Sequence, residues 1–286
     1  MKAELPSIGA AVAQAAGVLA PFSDTPRLDA QTLLAHLSGQ PRAWLAAHPE
    51  AGLEADIFRA FEQALERLGR GEPLPYVVGE WEFYGLTFHL TREVLIPRPE
   101  TELLVELALE WVSQHPDRWQ AVDVGTGSGC IAVSLAVNAP GLKITATDLS
   151  PAALSVAREN AARHGVAGQV DFRCGDLLEP VSAPVDLVCA NLPYIPSGKL
   201  TGLPVYHREP ALALDGGAQG TDLIERMLGQ AAVRLAPVGL LLAEIEENQG
   251  EAAARLGEGA FPGWKVRILK DLAGRDRLLR IEGEGA

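Results

Sequence analysis

Residues 123–129 read Asp123-Val124-Gly125-Thr126-Gly127-Ser128-Gly129, and this stretch decides the fold of the chain. It overlaps the end of an apolar run at 121–124 and precedes a helical pattern that begins at residue 130. Glycine at every second position favours a tight turn whose backbone a ligand can approach closely. The spacing is GxGxG, whereas the dinucleotide fingerprint is GxGxxG, so a purely structural turn remains an alternative. The stretch predicts a strand–loop–helix unit.

Strands and helices alternate from residue 120 onward, which is typical of a parallel sheet covered on both faces. Ser150 as N-cap, Pro151 at the first helical position and Gly165 beyond the end delimit one helix clearly. We therefore predict an α/β fold with a Rossmann-like sheet of seven strands, the last two forming an antiparallel pair. The expected strands are 121–124, 142–147, 170–173, 185–190, 239–245, 265–269 and 277–281.

The first 75 residues have helical periodicity instead. Residues 26–37 are closed by Gly39, and residues 57–68 are followed by Gly69 and Gly71. We predict a small bundle of four or five helices at 1–75, either a packing domain or a docking domain for the substrate protein. Residues 76–95 are strand-like and alternate around a glycine turn, which predicts a β-hairpin linker at 76–97 before the larger domain at 98–286.

The composition bounds the class of protein. With 286 residues, 48% hydrophobic content and no apolar stretch of membrane-spanning length, we expect a cytoplasmic protein that does not bind membranes. Its net charge of −13 disfavours direct contact with nucleic acid and suits a basic protein partner. Cys130, Cys174 and Cys189 lack CxxC spacing and are expected to be reduced and buried, and no metal-ligand spacing occurs, so no metal is expected.

Carboxylates accompany three of the expected strands. Asp123 precedes the glycine loop, Asp148 ends the second strand and Asp176 follows the third. Because the carboxyl ends of parallel strands meet at one edge, these side chains should meet a shared ligand's ammonium group, ribose hydroxyls and adenine edge, in that order. They would repel a diphosphate but attract a sulfonium, which favours S-adenosylmethionine over NAD. A strand-end cap or a solvated turn is the alternative for each aspartate alone.

The fourth expected strand is followed by Asn191-Leu192-Pro193-Tyr194. An Asn side-chain oxygen beside a backbone carbonyl can accept both N–H hydrogens of a planar amide or amino nitrogen, and an aromatic ring two residues on can cover its plane. Together with the glycine loop, the tetrapeptide indicates methyl transfer to such a nitrogen. Residues 195–220 follow with little periodicity, and a loop of this length is more often a functional lid than a passive connection.

Further segments extend the pattern over nearly the whole chain. They are Asp-Ala-x-x-Leu-Leu at 29–34, Tyr-Val-Val-Gly at 76–79, Phe-Tyr-Gly-Leu at 83–86, Ile-Pro-Arg-Pro-Glu-Thr-Glu at 96–102 and Arg-Glu-Pro-Ala-Leu-Ala-Leu at 208–214. With the glycine loop and the tetrapeptide, this ordered set resembles the protein-(glutamine-N5) methyltransferases that modify class I peptide release factors in translation termination, the HemK/PrmC family. The resemblance implies methylation of the glutamine of a Gly-Gly-Gln motif, with S-adenosylhomocysteine as the product. We separately expect a monomer.

The resemblance also implies roles for individual residues. Asn191 and the Leu192 carbonyl would hold the glutamine amide, Pro193 would shape the tetrapeptide, and Tyr194 would stack on the amide. Asn191 also borders the cofactor. The remaining cofactor-binding residues are expected to be Asp123, Gly125, Thr126, Gly127, Ser128, Gly129, Asp148, Asp176, Leu177, Arg98, Thr101 and Glu102. Arg98, Thr101 and Glu102 would roof the pocket, although Arg98 could instead be an ion-pair partner for a nearby carboxylate.

One departure from the family pattern lies in the tetrapeptide, which is usually Asn-Pro-Pro-Tyr but has Leu192 here. The contact assigned to this position uses a backbone carbonyl, so we expect activity with a less preorganised loop. Other functions stay open on the sequence alone: a glutamine methyltransferase of a ribosomal protein, a DNA adenine-N6 or cytosine-N4 methyltransferase, and a cofactor-binding module without catalysis.

Overall fold

The computed structural model describes residues 5–117, 119–182 and 184–283. The chain divides into two compact units, Met1–Glu80 and Trp81–Ala286. No helix in these described ranges is both long and apolar enough to cross a membrane.

The first unit is helical, as the sequence predicted. Its described residues form α1 (Ile8–Leu19), α2 (Pro26–Ser38), α3 (Arg42–Ala47), α4 (Ala55–Gly69) and α5 (Leu74–Val78). The Ser7 hydroxyl caps α1 by accepting from the Ala10 amide, and Gly39 ends α2 in the left-handed conformation that a helix stop favours. Leu33, Leu34 and Phe61 are buried between these helices, so the apolar periodicity of the sequence corresponds to the core.

The strand-like assignment of residues 76–78 was wrong, because this segment belongs to α5. Pro75 lies in its first turn, where a fixed φ suits a helix, and Gly79 ends it with a φ of +80°. Proline at the start of this short helix and glycine directly after its end outweigh the strand preference of Val77 and Val78. The hairpin itself is present, formed by β1 (Glu80–Phe83) and β2 (Leu86–His89).

The turn of this hairpin contains Tyr84 and Gly85 with φ angles of +51° and +70°, the combination that a type I′ turn needs. The far end of the hairpin is held by the buried side chain of Asn160. Its Oδ1 accepts from the His89 amide at 2.7 Å, and its Nδ2 donates to the carbonyls of His89 at 3.0 Å and Ser128 at 2.8 Å. Asn160 thus links the hairpin to the glycine loop.

A seven-stranded sheet is the core of the second unit, which confirms the predicted α/β fold. The strands are β3 (Gln120–Val124), β4 (Lys143–Asp148), β5 (Val170–Cys174), β6 (Val185–Ala190), β7 (Leu235–Glu244), β8 (Lys265–Lys270) and β9 (Asp276–Glu282). Their order is β5-β4-β3-β6-β7-β9-β8. The first five are parallel, and β9 is antiparallel to both β7 and β8, so the expected antiparallel pair is also confirmed.

Helices cover this sheet. They are α6 (Glu102–Gln114), α7 (Cys130–Asn138), α8 (Pro151–Arg163), α9 (Ser197–Leu200), α10 (Asp222–Ala231) and α11 (Gly250–Ala260), with 3₁₀ turns at Pro99–Thr101, Pro204–His207 and Ala211–Ala213. The last two 3₁₀ turns and α9 lie in the segment 195–220, which is therefore ordered by short helical turns instead of being a featureless loop.

The direction in which strands are added reverses between β3 and β6. The chain runs outward from β3 to β4 and β5, then returns to place β6 on the other side of β3. The final residues of the two central strands are paired, Val124 with Ala190. In open α/β sheets, ligands bind in the crevice beyond such a switch point. The glycine loop follows one of these strands and the tetrapeptide follows the other, so the topology brings both motifs to this crevice.

The cysteines are free, but only Cys189 is fully buried. Cys130 is partly buried and Cys174 is exposed, so the expectation that all three are buried was wrong. Cys174 is the last residue of β5, the outermost strand of the parallel part of the sheet, and an edge position leaves its side chain open to solvent.

Candidate functional site

A cavity of about 790 Å³ lies at the carboxyl ends of β3, β4 and β6, within the size range of small-molecule sites. It brings together eight of the residues proposed from the sequence: Gly125, Gly127, Asp148, Asp176, Leu177, Asn191, Leu192 and Pro193. The segment 195–220 supplies another wall, with Pro210, Ala211, Leu212 and Ala213. This segment therefore borders the site, as expected of a lid.

The glycine loop presents its backbone to the cavity. The φ angles of Gly125, Gly127 and Gly129 are +71°, +54° and +80°, a region that other residues adopt at a cost. The loop is anchored because the amides of Gly125 and Thr126 each donate to the Thr147 carbonyl at 2.9 Å. A Cβ on Gly125 would lie 3.0 Å from Cδ2 of Leu192, so the loop and the tetrapeptide are packed against each other.

Gly129 has a different task, since a Cβ there would lie 3.0 Å from Cβ of Ala157. Its small size allows the start of α7 to approach α8 closely, which is the packing role of the third glycine in related loops.

Asp148 lines the cavity at the end of β4. Its Oδ2 accepts from the Gly127 amide at 2.9 Å, and its Oδ1 accepts from the Ser150 amide at 2.8 Å. Burial raises the pKa of this carboxyl above its ordinary value, while the backbone hydrogen bonds act in the opposite direction. A carboxylate has about four acceptor positions, so Asp148 can still accept from hydroxyl groups of a ligand.

Asp176 and Leu177 line the same cavity beyond β5. Asp176 forms an ion pair with Arg226 of α10, which was not foreseen from the sequence. Oδ1 of Asp176 is buried and accepts no hydrogen bond within the described ranges, so it is available as an acceptor for a ligand. Leu177 adopts a φ of +51°, which places a strained residue directly after the carboxylate. Leu149 and Leu212 add apolar walls that were also not anticipated.

Asp123, Thr126 and Ser128 are not brought to the cavity wall, since all three side chains are buried. Oδ2 of Asp123 accepts from the Thr126 hydroxyl at 2.6 Å and from the Ala132 amide at 3.2 Å, so this carboxylate ties the glycine loop to α7. Burial raises its pKa to about 7. The proposed contact of Asp123 with an ammonium group therefore stays a prediction.

Asn191 and Leu192 of the tetrapeptide line the cavity, and each has an oxygen that accepts no hydrogen bond from the described residues. Nδ2 of Asn191 donates to the Thr101 hydroxyl at 3.0 Å, and Oδ1 of the same amide accepts no hydrogen bond from the described residues. The carbonyl oxygen of Leu192 likewise accepts none in the described part of the chain. Because the Leu192 side chain is 3% exposed and packs on Gly125, the residue that replaces proline is held by its side chain instead of by a ring.

Tyr194 does not line the cavity. Its carbonyl accepts from Nε2 of Gln249 at 2.9 Å, and burial raises the pKa of its phenol to about 12, so the ring stays neutral. Stacking of Tyr194 on a substrate amide stays a prediction.

The structure does not bring Arg98, Thr101 or Glu102 to the cavity either. Arg98 forms an ion pair with Glu209, which is the structural alternative considered for it. Oε1 of Glu102 accepts from the Tyr84 amide at 2.8 Å. Thr101 is buried and contacts Asn191, so its position is behind the tetrapeptide.

Sequence reasoning missed three polar residues around the site: Glu209, Glu244 and Gln249. Oε2 of Glu209 accepts from the Ile96 amide at 3.1 Å, which joins the segment 195–220 to the irregular segment before α6. Glu244 ends β7 and accepts from Thr101 at 2.6 Å. The signal that singled out Asp148, a carboxylate at a strand end, was present at Glu244 too. Across the described ranges, no cluster of His, Cys, Asp or Glu could hold a metal ion.

Two protein families match the chain. The PrmC N-terminal domain matches residues 10–79, and the methyltransferase small domain matches residues 101–208. Over 256 residues the chain is 43% identical to the release factor glutamine methyltransferase of Moorella thermoacetica, covering 89% of this chain and 90% of that protein. The protein of the same name from Deinococcus radiodurans is 38% identical over 264 residues, with 91% and 92% covered.

Solved structures share the fold. A methyltransferase from Pyrococcus furiosus superimposes with a TM-score of 0.52 at 19% identity, over 71% of this chain and 91% of that one. A 16S rRNA methyltransferase of T. thermophilus, in complex with AdoMet and guanosine, gives a TM-score of 0.51 at 18% identity, over 72% of this chain and 50% of that one.

Proposed function

The chain belongs to the release factor glutamine methyltransferases, and from this membership we propose that it methylates the side-chain amide nitrogen (N5) of the glutamine in the Gly-Gly-Gln motif of class I peptide chain release factors. The enzyme is a methyltransferase that uses S-adenosylmethionine. When bound, this cofactor supplies a methyl group on a positively charged sulfur and remains as S-adenosylhomocysteine after transfer.

The cavity fits such a cofactor. The backbone of Gly125 and Gly127 lines it, and the carboxylates of Asp148 and Asp176 line it with acceptor positions left over. Asp148 would hold the ribose hydroxyls, while Asp176 and Leu177 would border the adenine. Carboxylates in the wall favour a cation over a diphosphate.

The proposal that the methyl acceptor is a primary carboxamide rests on two oxygens of the tetrapeptide. Oδ1 of Asn191 and the carbonyl oxygen of Leu192 are adjacent along the chain and accept no hydrogen bond from the described residues. A primary carboxamide has two N–H donors in one plane, and two such acceptors can hold both of them. The lone pair of the nitrogen is delocalised, so holding the amide in place is the main way to make it react.

The chain's residues contribute mainly by positioning. Asn191 and Leu192 would fix the amide plane, the glycine loop would fix the cofactor beside it, and the segment 195–220 would exclude water. Near-attack positioning of this kind can be worth roughly 7–11 kcal/mol. No strong base is needed, because the nitrogen becomes far more acidic on alkylation and its proton can pass to Asn191 or to solvent.

The remaining parts of the proposal concern partners. We assign docking of the release factor to the helical unit and to the segment 195–220, and we expect a monomer that makes no direct contact with nucleic acid. The net charge of −13 supports a basic protein partner. A cytoplasmic location follows from the proposed substrate, since release factors act on translating ribosomes.

The test is incubation of the protein with a purified class I release factor and methyl-labelled S-adenosylmethionine, followed by peptide mass mapping. We expect one methyl group on the glutamine of Gly-Gly-Gln and none on a release factor in which that glutamine is alanine. Parallel reactions with ribosomal proteins and with plasmid DNA should remain unlabelled. Label in either of those, with none in the release factor, would overturn the proposal.

A further inference from the structure

A chain of three buried or half-buried polar groups lies behind the tetrapeptide. Nδ2 of Asn191 is 3.0 Å from the hydroxyl oxygen of Thr101, and that oxygen is 2.6 Å from Oε2 of Glu244. Thr101 and Glu244 are each only 1% exposed. The three residues come from separate parts of the second unit, since residues 101 and 244 are 143 positions apart. Little water can compete for these contacts.

The donor and acceptor inventory fixes the direction of each hydrogen bond. An ionised carboxylate only accepts, so the single hydroxyl proton of Thr101 must go to Glu244. The remaining lone pairs of the Thr101 oxygen can only accept, so Asn191 must present its NH₂ group there. The two ends of the Asn191 amide are thereby distinguished, and Oδ1 is left as the end that is available to a substrate.

We propose that Glu244 is a positioning residue that holds the Asn191 side-chain amide in its productive orientation, acting through the Thr101 hydroxyl. This inference rests on the proposed function, because the productive orientation is the one in which Oδ1 accepts from a glutamine amide. Glu244 touches neither reactant in this scheme. Its carboxylate determines which end of Asn191 faces the reaction.

Protonation of Glu244 would remove this control. A protonated carboxyl can donate to Thr101, which frees the Thr101 hydroxyl proton to donate to Oδ1 of Asn191 and to turn the amide over. Burial, with a smaller contribution from Glu100, raises the pKa of Glu244 against the opposing effects of the Thr101 hydroxyl, Arg277 and Arg98, and the net value is about 7. Tyr194 and Cys130 also face this carboxylate, but their own raised pKa values of about 12 keep both neutral near pH 7.

The sign of the pH dependence follows. The productive, ionised form of Glu244 gains population as the pH rises through about 7, so kcat should rise over the same range. In Glu244→Gln the side chain no longer titrates, and this rise should be lost or strongly reduced. Asp123, whose pKa is also raised to about 7, is unchanged in that variant and serves as the internal reference for any remaining pH dependence.

The decisive experiment uses the full-length chain with a class I release factor and compares Thr101→Val, Thr101→Ser and the control Ser134→Ala. Ser134 is a buried hydroxyl on α7 that makes no hydrogen bond within the described residues. We expect kcat to fall by about tenfold or more in Thr101→Val, with cofactor affinity unchanged, because the amide of Asn191 loses its partner. Thr101→Ser keeps the hydroxyl and should restore most of the turnover, and Ser134→Ala should match the unmodified protein.

A double-mutant comparison separates positioning from a general structural defect. In an Asn191→Ala background there is no amide left to orient, so adding Thr101→Val should not lower kcat further. Wild-type kcat in Thr101→Val, or equal additional loss in the Asn191→Ala background, would overturn the inference. Failure of the proposed function is distinguishable, because the unmodified protein would then label no release factor glutamine at all.

Discussion

The side-chain amide of Gln249 donates to the carbonyl oxygen of Tyr194 at 2.9 Å and to that of Gly220 at 3.2 Å. Gln249 is 8% exposed and lies just before α11, so one buried side chain joins the end of the tetrapeptide to the end of the segment 195–220. Both carbonyls depend on this donor.

Gln249→Leu should therefore lower both stability and turnover. Leaving buried carbonyls without a donor costs about 1–3 kcal/mol, and the tetrapeptide loses its anchor. Denaturant unfolding and steady-state kinetics measure the two effects. Gln120→Leu, at an exposed position of β3 outside the segment 195–220, is the control and should change neither. Equal behaviour of the two variants would show that the Gln249 contact has no role.

Gly125→Ala should reduce turnover by more than its loss of folding stability explains. A Cβ at this position would lie 3.0 Å from Cδ2 of Leu192, and the φ of +71° adds roughly 1 kcal/mol of backbone strain. Gly274→Ala is the matched control, because its φ is +77° but nothing lies within 4 Å of its Cβ. Both variants should lose stability in thermal melts because of their positive φ, and Gly125→Ala should lose more because its Cβ meets Leu192. Only Gly125→Ala should displace Leu192, so a wild-type kcat in that variant contradicts the close-packing argument.

Asp148→Asn should weaken cofactor binding by about 10- to 100-fold, since hydrogen bonds to a charged group are worth roughly 1.5–3 kcal/mol. In the unmodified protein, the backbone amides of Gly127 and Ser150 each donate to a different carboxylate oxygen of Asp148. The asparagine side chain has only one acceptor oxygen, so it cannot replace both contacts. Calorimetric titration with S-adenosylhomocysteine measures the affinity. The exposed Asp171 of β5 provides the comparison, and Asp171→Asn should bind normally.

Asp123 should make the protein less stable as the pH rises from about 4 to about 7. Its folded-state pKa is raised to about 7 by burial, whereas an unfolded Asp titrates near pH 4. Between these values the folded state binds more protons than the unfolded state, so the free energy of unfolding decreases with increasing pH. Glu244 contributes in the same direction.

Asp123→Asn removes one of these two titrations. Urea titration at a series of pH values measures its free energy of unfolding. Between about pH 5 and about pH 7, within the range set by the two pKa values, this free energy should fall less steeply than that of the unmodified protein. Parallel profiles for the two proteins would mean that Asp123 ionises normally in the folded state.

Much of the second unit could be predicted because its signals are local in sequence. Ser150, Pro151 and Gly165 delimit α8 by capping and backbone preferences alone, and the structure has its N-cap at Ser150. Gly125, Gly127 and Asp148 reach one cavity because parallel strands end at the same edge. The positions of these residues follow from strand alternation, without knowledge of any long-range contact.

The parts that sequence reasoning missed depend on contacts between distant residues. Glu244 and Thr101 meet only after β7 has been placed beside β6, and the partner of Asp176 comes from a helix 50 positions later in the chain. Periodicity does not contain that information. The error at residues 76–78 has a related cause, because proline and glycine at the two ends decided the conformation of a segment that is rich in strand-forming residues.

The pairing of Val124 with Ala190 is made by main-chain hydrogen bonds, which do not depend on side-chain identity. On the proposed mechanism, the gap that the methyl group has to cross is thus set by the scaffold, while the helical unit and the segment 195–220 select the acceptor protein. Redesign of that later segment could retarget the enzyme to a different protein amide while leaving the donor side untouched.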